Sequence, residues 1–303
     1  MKRYFKNFLL FFSLAVSFVS FAQQYPQYSG YMFNPFTINP AYAGNYSTFQ
    51  ATVVGRNQWV NLAEAPKTAQ FAIHGALKNE KAAVGLNIYS DQIGFTKTTA
   101  ALATYAYRII LAKSTISFGL RGGVSNTAYD WNDVDVKDKA DPLYGSGTST
   151  AVHPLADAGI YFHTTTFYTG LSATNLINTS SSASNYSQAL HPHIFLSAGK
   201  SFSFANRMVL NPSLLVKVVD GITSVDLNCN LLFHERLWLG ASFRFSYGYV
   251  FLLEYLVTDK LKIGYAYDGG INAIGRVGGA TNEIMVGYNF SVFNKKMQSF
   301  RYL

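Results

Sequence analysis

From Glu283 to Val292 the chain alternates strictly. Ile284, Val286, Tyr288, Phe290 and Val292 fall on one side of an extended ribbon, and Glu283, Met285, Gly287, Asn289 and Ser291 on the other. Successive side chains of a strand point to opposite faces, so this ribbon has one apolar face and one small, mostly polar face. A single ribbon of this kind suits a soluble sandwich as well as a wall with lipid outside and water inside, and recurrence has to decide. The pattern does recur. Ile116, Phe118, Leu120 and Val124 oppose Thr115, Ser117, Arg121 and Ser125, and Val225, Leu227, Cys229, Leu231 and Phe233 oppose Asp226, Asn228 and Asn230. Leu237, Leu239, Ala241, Phe243 and Phe245 likewise oppose Trp238, Ser242 and Arg244.

Strand candidates follow one another from about Ser47 to Val292, and about 14 are expected. Connections after even-numbered strands are short, such as 78–81, 112–114 and 205–207, whereas the longest follow the fifth, seventh and thirteenth. Short turns on one side and long loops on the other mark an outer-membrane barrel, whose ends lie on the short-turn, periplasmic side. A β-sandwich has no reason to sort its loops by parity. The expected fold is therefore all-β, a transmembrane antiparallel barrel. The sixth strand is placed near Leu155–Thr164 after a long polar connection from Tyr129 to Val152, and Pro212 inside the ninth, Met208–Asp220, marks a bulge or a distorted end.

Composition agrees with this reading. Only 13% of residues are charged while 16% are aromatic, as suits a lipid-facing band with aromatic girdles. Lys2, Arg3 and Lys6 precede an apolar run from Phe8 to Phe21, and Ser20 and Ala22 stand where a leader peptidase needs small residues. This divides the chain into a signal peptide (1–22), an extended N-terminal segment (23–45), the barrel (46–293) and a C-terminal tail (294–303). Past the leader no apolar run reaches helical-span length, so strands must do the crossing, and in lipid only closed barrels satisfy their backbone groups that way. The basic residues are dispersed, which argues against a nucleic-acid partner.

Charges facing lipid at mid-membrane cost about 2–4 kcal/mol each, so they are expected in the lumen. The inward set is Arg121, Asp157, His163, Lys200, Lys217, Asp226, Arg244, Glu254, Lys262 and Glu283.

Signatures of chemistry are weak. His191 and His193 lack further ligands at a suitable spacing. Asp133 and Asp135 start like a calcium loop, but Lys137 and Asp138 stand where an oxygen ligand and a glycine belong. Neither a nucleophile elbow nor a phosphate loop is present. Cys229 is the lone cysteine and reads as a lipid-facing apolar residue. The expectation is a non-enzymatic protein without metal or cofactor.

The segment from Gln24 to Asn45 is dense in Pro, Asn and Tyr. It is too aromatic for a free linker and is expected to pack against something. Its Tyr31-Met32-Phe33-Asn34-Pro35 and Ile38-Asn39-Pro40-Ala41-Tyr42-Ala43-Gly44 runs are followed by Arg56-Asn57-Gln58-Trp59, Ala65-Pro66-Lys67-Thr68 and Asp91-Gln92-Ile93-Gly94, and Arg301-Tyr302-Leu303 ends the chain. Together these resemble the PorP/SprF family of type IX secretion system membrane proteins. The resemblance implies a cell outer-membrane barrel in lipid whose partners are the type IX secretion machinery, with its periplasmic ring components, and a secreted cargo or adhesin C-terminal domain. The expected function is export or surface attachment of specific cargo, such as gliding adhesins, by protein–protein binding. The alternative is an outer-membrane porin or FadL-like solute transporter. The matched positions Asn34, Pro35, Asn39, Pro40, Ala41, Tyr42, Gly44, Arg56 and Trp59 are the expected partner-binding set. They serve equally well to seal the barrel, because a plug needs the same rigid Asn-Pro turns.

Overall fold

The computed structural model describes residues 26–46, 48–134, 147–177, 190–204, 207–245 and 247–293. The leader, the C-terminal tail with Arg301 to Leu303, and the acidic positions Asp135, Asp138 and Asp141 lie outside them.

The strands are β1 (Phe49–Asn57), β2 (Lys67–Ala76), β3 (Ala82–Ile93), β4 (Thr96–Ile110), β5 (Ser114–Asp130), β6 (Thr148–Thr164), β7 (Phe167–Thr174) and β8 (His193–Lys200). They continue as β9 (Phe202–Phe204), β10 (Met208–Val219), β11 (Ile222–Phe233), β12 (Leu237–Arg244), β13 (Gly248–Leu256), β14 (Leu261–Gly270) and β15 (Thr281–Phe290). Every pairing is antiparallel, and β15 returns to β1 from Phe49 opposite Phe290 to Asn57 opposite Asn282, so the sheet closes on itself. Closure leaves no edge whose backbone groups would face lipid.

The wall has fourteen strands, because β8 and β9 are two halves of one. Both pair with β10 in a single register, Gly199 opposite Ser213 and Phe202 opposite Leu210. The interruption falls beside Pro212, which has no N–H to give the ladder. The proline thus breaks its neighbour, while β10 itself runs unbroken along β11, with Pro212 opposite Cys229. The sixth strand also differs from expectation, starting at Thr148 and pairing with β5 through Pro154 opposite Val124. Its ladder with β7 begins only at Ala158, opposite Ala173, with the Leu176 N–H donating to the Ala156 carbonyl beyond it, and among the described residues no strand pairs with Pro154 on that side, which suits a residue without a donor.

The strands meet the connections 77–81, 111–113, 165–166, 205–207, 234–236 and 257–260 at one end, and at the other the short 94–95, 220–221 and 245–247 together with the long 58–66, 131–147, 175–192 and 271–280. The last of these carries a short helix, α1 (Ala273–Gly278). Among the described residues no helix is long and apolar enough to cross a membrane. By the rule for such barrels the long-loop end is the outer rim and the short-turn end the inner, periplasmic rim.

Alternation is clean on both faces. Along β13 every second residue from Gly248 to Leu256 is buried and those between are exposed. Leu120, in the middle of β5, is 67% exposed on the outer face. Leu120→Arg is expected to lower the stability of the bilayer-embedded barrel by about 2–4 kcal/mol, as measured by reversible denaturant unfolding in lipid vesicles.

Candidate functional site

The lumen is occupied by the protein's own N-terminal segment. Two prolines set its shape, since a fixed φ and a missing donor suit the first position of a helical turn. Pro35 opens η1 (Pro35–Thr37) and Pro40 opens η2 (Pro40–Tyr42). Asn39 caps η2 by accepting from the Ala41 N–H at 2.9 Å, and its side-chain amide donates to the Ile160 carbonyl of β6 at 3.1 Å.

The segment descends through the barrel. Near the outer rim, the Ser29 and Gly30 N–H groups both donate to Glu283 at 2.8 Å, and the Ser29 hydroxyl donates to Asp268 at 2.6 Å. Further down, Asn228 donates to the Tyr31 hydroxyl at 2.7 Å, and Lys262 donates to the Phe33 carbonyl at 3.0 Å. The carbonyls of Phe36 and Thr37 accept from Arg121, whose guanidinium lies 4.6 Å from the Phe36 ring centroid. Tyr42 sits edge-on to Tyr161 and His74, at 5.3 and 5.8 Å between centroids. The Gly44 N–H donates to His74 Nδ1 at 3.3 Å. The chain then reverses into β1 at the inner rim.

Two features let the segment lie against the wall. Gly44 has φ +71°, a left-handed conformation in which a Cβ would also strike that of Ala83. On the wall itself, inward-facing Gly119 and Gly159 leave room for Ala41 and Asn39, whose atoms any larger side chain would overlap.

Charges around the segment are matched. Arg56 reaches Asp268 at 2.8 Å and Glu283 at 3.0 Å. Asp226 is held by Lys217 at 3.0 Å and Arg244 at 3.2 Å, and Arg244 also lies 3.9 Å from Asp268. Glu254 pairs with Lys262 at 3.0 Å, and Asp157 with Arg121 at 3.6 Å. Removing charges from water is costly unless opposite charges replace it, and each of these carboxylates has a cation beside it.

The expected lumen residues therefore face inward with one exception. Lys200 is exposed on the outer face, with its ammonium 5.1 Å from the Phe202 ring. Inward positions of β8 are His193, Phe195 and Gly199, and the opposite parity carries Lys200 out near the inner rim. The Asn-Pro positions are gathered as one body: Asn34, Asn39, Pro40, Ala41 and Tyr42 are all buried between segment and wall, and Pro35 opens the turn between them. Trp59 is elsewhere, in the β1–β2 connection, where its N–H donates to Thr281 at 3.2 Å and its side chain abuts Gly278. Asp268 is inward as the parity of its strand predicts, whereas Ser29, His74 and the wall glycines were not among the expected positions. For the glycines the signal was present, since they stand at inward parity on strands whose alternation is clear.

His191 pairs with Asp220 at 2.7 Å, and His193 is buried beside Phe195. Among the described residues no three His, Cys, Asp or Glu side chains converge as a cation site.

The profile of the family described as type IX secretion system membrane protein PorP/SprF matches residues 20–288. The chain belongs to the PorP/SprF family. As a PorP/SprF protein it is an outer-membrane component of the type IX secretion system. No curated protein matches it by sequence. Among solved structures it is similar to the Acinetobacter baumannii outer membrane protein Omp33, at 11% identity and TM-score 0.47, covering 82% of this chain and 100% of that one. It is also similar to the Pseudomonas putida toluene transporter TodX, at 10% identity and TM-score 0.48 over 88% and 94% of the two chains. The Ralstonia pickettii toluene transporter TbuX gives 10% and 0.48 over 92% and 96%. What sets this PorP/SprF chain's lumen in order is its own N-terminal segment, pinned to strands from all round the wall.

Proposed function

We propose that this PorP/SprF protein supports export or surface attachment of particular cargo by binding, without catalysing a reaction, and that periplasmic ring components and a cargo C-terminal domain are its partners. The observation that carries the reading is the filled lumen. From Ser29 to Gly44 the segment is tied to the wall at the outer rim, midway and at the inner rim. A protein devoted to solute passage is served by an open path, whereas a docking component needs a rigid body with two faces, one in the periplasm and one outside. The porin or transporter alternative draws on the same barrel but leaves the segment's many fastenings without a role.

Gene deletion separates the two. The expected result is loss of one or a few surface proteins, seen by surface-proteome mass spectrometry, with solute uptake unchanged. An uptake defect with a normal surface proteome would reject the binding role in favour of transport.

A further inference from the structure

The outer end of the lumen holds a cavity of about 420 Å³ lined mainly by residues of β3, β4, β5 and β6. Its walls include Tyr89, Phe95 and Tyr129, with the hydroxyls of Thr98 and Thr127 and the carboxylates of Asp91 and Glu64. The aromatic side is braced from behind, because Trp131 packs 5.5 Å from Phe95 and 6.4 Å from Tyr129 between ring centroids. The rings are therefore held in place before anything enters.

The charges make this cavity unlike the rest of the lumen. Asp157, Asp226, Glu254, Asp268 and Glu283 each have an Arg or Lys partner within ion-pair distance. Asp91 and Glu64 have none within that distance among the described residues, Arg56 acting on Asp91 only from farther off. The Thr68 hydroxyl donates to one Asp91 oxygen at 2.5 Å, which orients the carboxylate without neutralising it. Glu64 is held at its backbone, its carbonyl accepting from the Gly94 N–H at 2.9 Å, and its exposed side chain lines the same cavity. An oriented carboxylate beside aromatic faces favours an organic cation, which gains both charge-assisted hydrogen bonds and attraction to the rings.

We propose that this cavity is a binding site for an ammonium or guanidinium group presented from outside the cell, carried either by a free amine or by a Lys or Arg side chain of a peptide. Asp91 supplies the principal counter-charge, Glu64 adds a second carboxylate, and Tyr89, Phe95 and Tyr129 line the pocket for the cation's carbon stem. The inference goes beyond the proposed function and its failure would leave that reading untouched, since no step of the cargo argument uses the cavity.

The test is isothermal titration calorimetry on the full-length protein in detergent micelles, using three probes: agmatine, the blocked peptide acetyl-Gly-Arg-Gly-amide and its neutral counterpart acetyl-Gly-Gln-Gly-amide. The expected result is saturable binding of at least one cationic probe and none of the neutral peptide. Agmatine alone identifies a small-amine site; binding of the arginine peptide as well shows that a side chain on a polypeptide can enter. Asp91→Asn should weaken binding about tenfold or more, the loss expected for one charge-assisted hydrogen bond. Asp220→Asn, which removes a carboxylate outside the cavity, should leave it unchanged. Retained heat-modifiable electrophoretic mobility shows that each variant still folds. Equal binding of the neutral peptide, full affinity in the Asp91→Asn protein, or no binding of either cation would overturn the proposal.

Discussion

Deleting residues 26–44 in frame is expected to convert an electrically silent barrel into a conducting one. In planar lipid bilayers the intact protein should give no stable unitary steps and the deleted form should give regular ones. The expectation follows from where the segment lies, because its side chains, carbonyls and N–H groups take up wall groups on β5, β11, β14 and β15 that would otherwise face water. A fourteen-strand wall stripped of this filling encloses a wide lumen, since diameter grows with strand number. The exposed lining would be charge-balanced, with Arg56, Arg121, Lys217, Arg244 and Lys262 facing Asp157, Asp226, Glu254, Asp268 and Glu283, so the open form should discriminate weakly between cations and anions. Should the shortened protein stay as silent as its parent, the seal lies in the outer connections and the segment only lines them.

Arg121→Met should produce the largest loss of stability of any single substitution in the lumen. Arg121 is buried, and its guanidinium serves Asp157, the Thr104 hydroxyl at 3.2 Å, and the carbonyls of Phe36 and Thr37. Removing one partner from a buried pair strands the other charge, at a cost of about 3–5 kcal/mol. Adding Asp157→Asn to Arg121→Met removes the stranded charge and should restore part of the loss, while Asp157→Asn alone leaves Arg121 its carbonyl and hydroxyl acceptors and should cost less. The four proteins form a double-mutant cycle readable by denaturant titration in detergent or vesicles. Additive losses would mean that the two side chains do not act as a pair. Because the pair is shielded from solvent, moderate salt should change the coupling little.

Much of this architecture was readable from residue order because in a membrane wall the environment alternates from one residue to the next. The inward placement of Asp226, Arg244, Lys262 and Glu283 required only parity and the cost of charge in lipid. The same reasoning failed at Lys200, and the failure is physical. The penalty falls away near the interface, where a long amine stem reaches the headgroups, so a lysine close to the inner rim is under no obligation to turn inward. The early start of β6 was hidden by Pro154, which discounts a strand only when both of its sides are paired. The destination of the N-terminal segment was illegible for a different reason. Its composition said that it must pack, but its partners, from His74 to Glu283, lie far along the chain, and local pattern carries no information about which distant strands will surround a given turn.

The course of the segment has a mechanical corollary. Its only covalent link to the wall among the described residues is the short stretch between Gly44 and Phe49, fastened at the periplasmic mouth. Drawing the cork outward would drag that tether up the bore and unzip β1 from both neighbours. Drawing it inward breaks only side-chain fastenings and leaves the cylinder whole. The stopper therefore yields in one direction, to a pull from below, and once drawn it remains leashed beside the hole it came from.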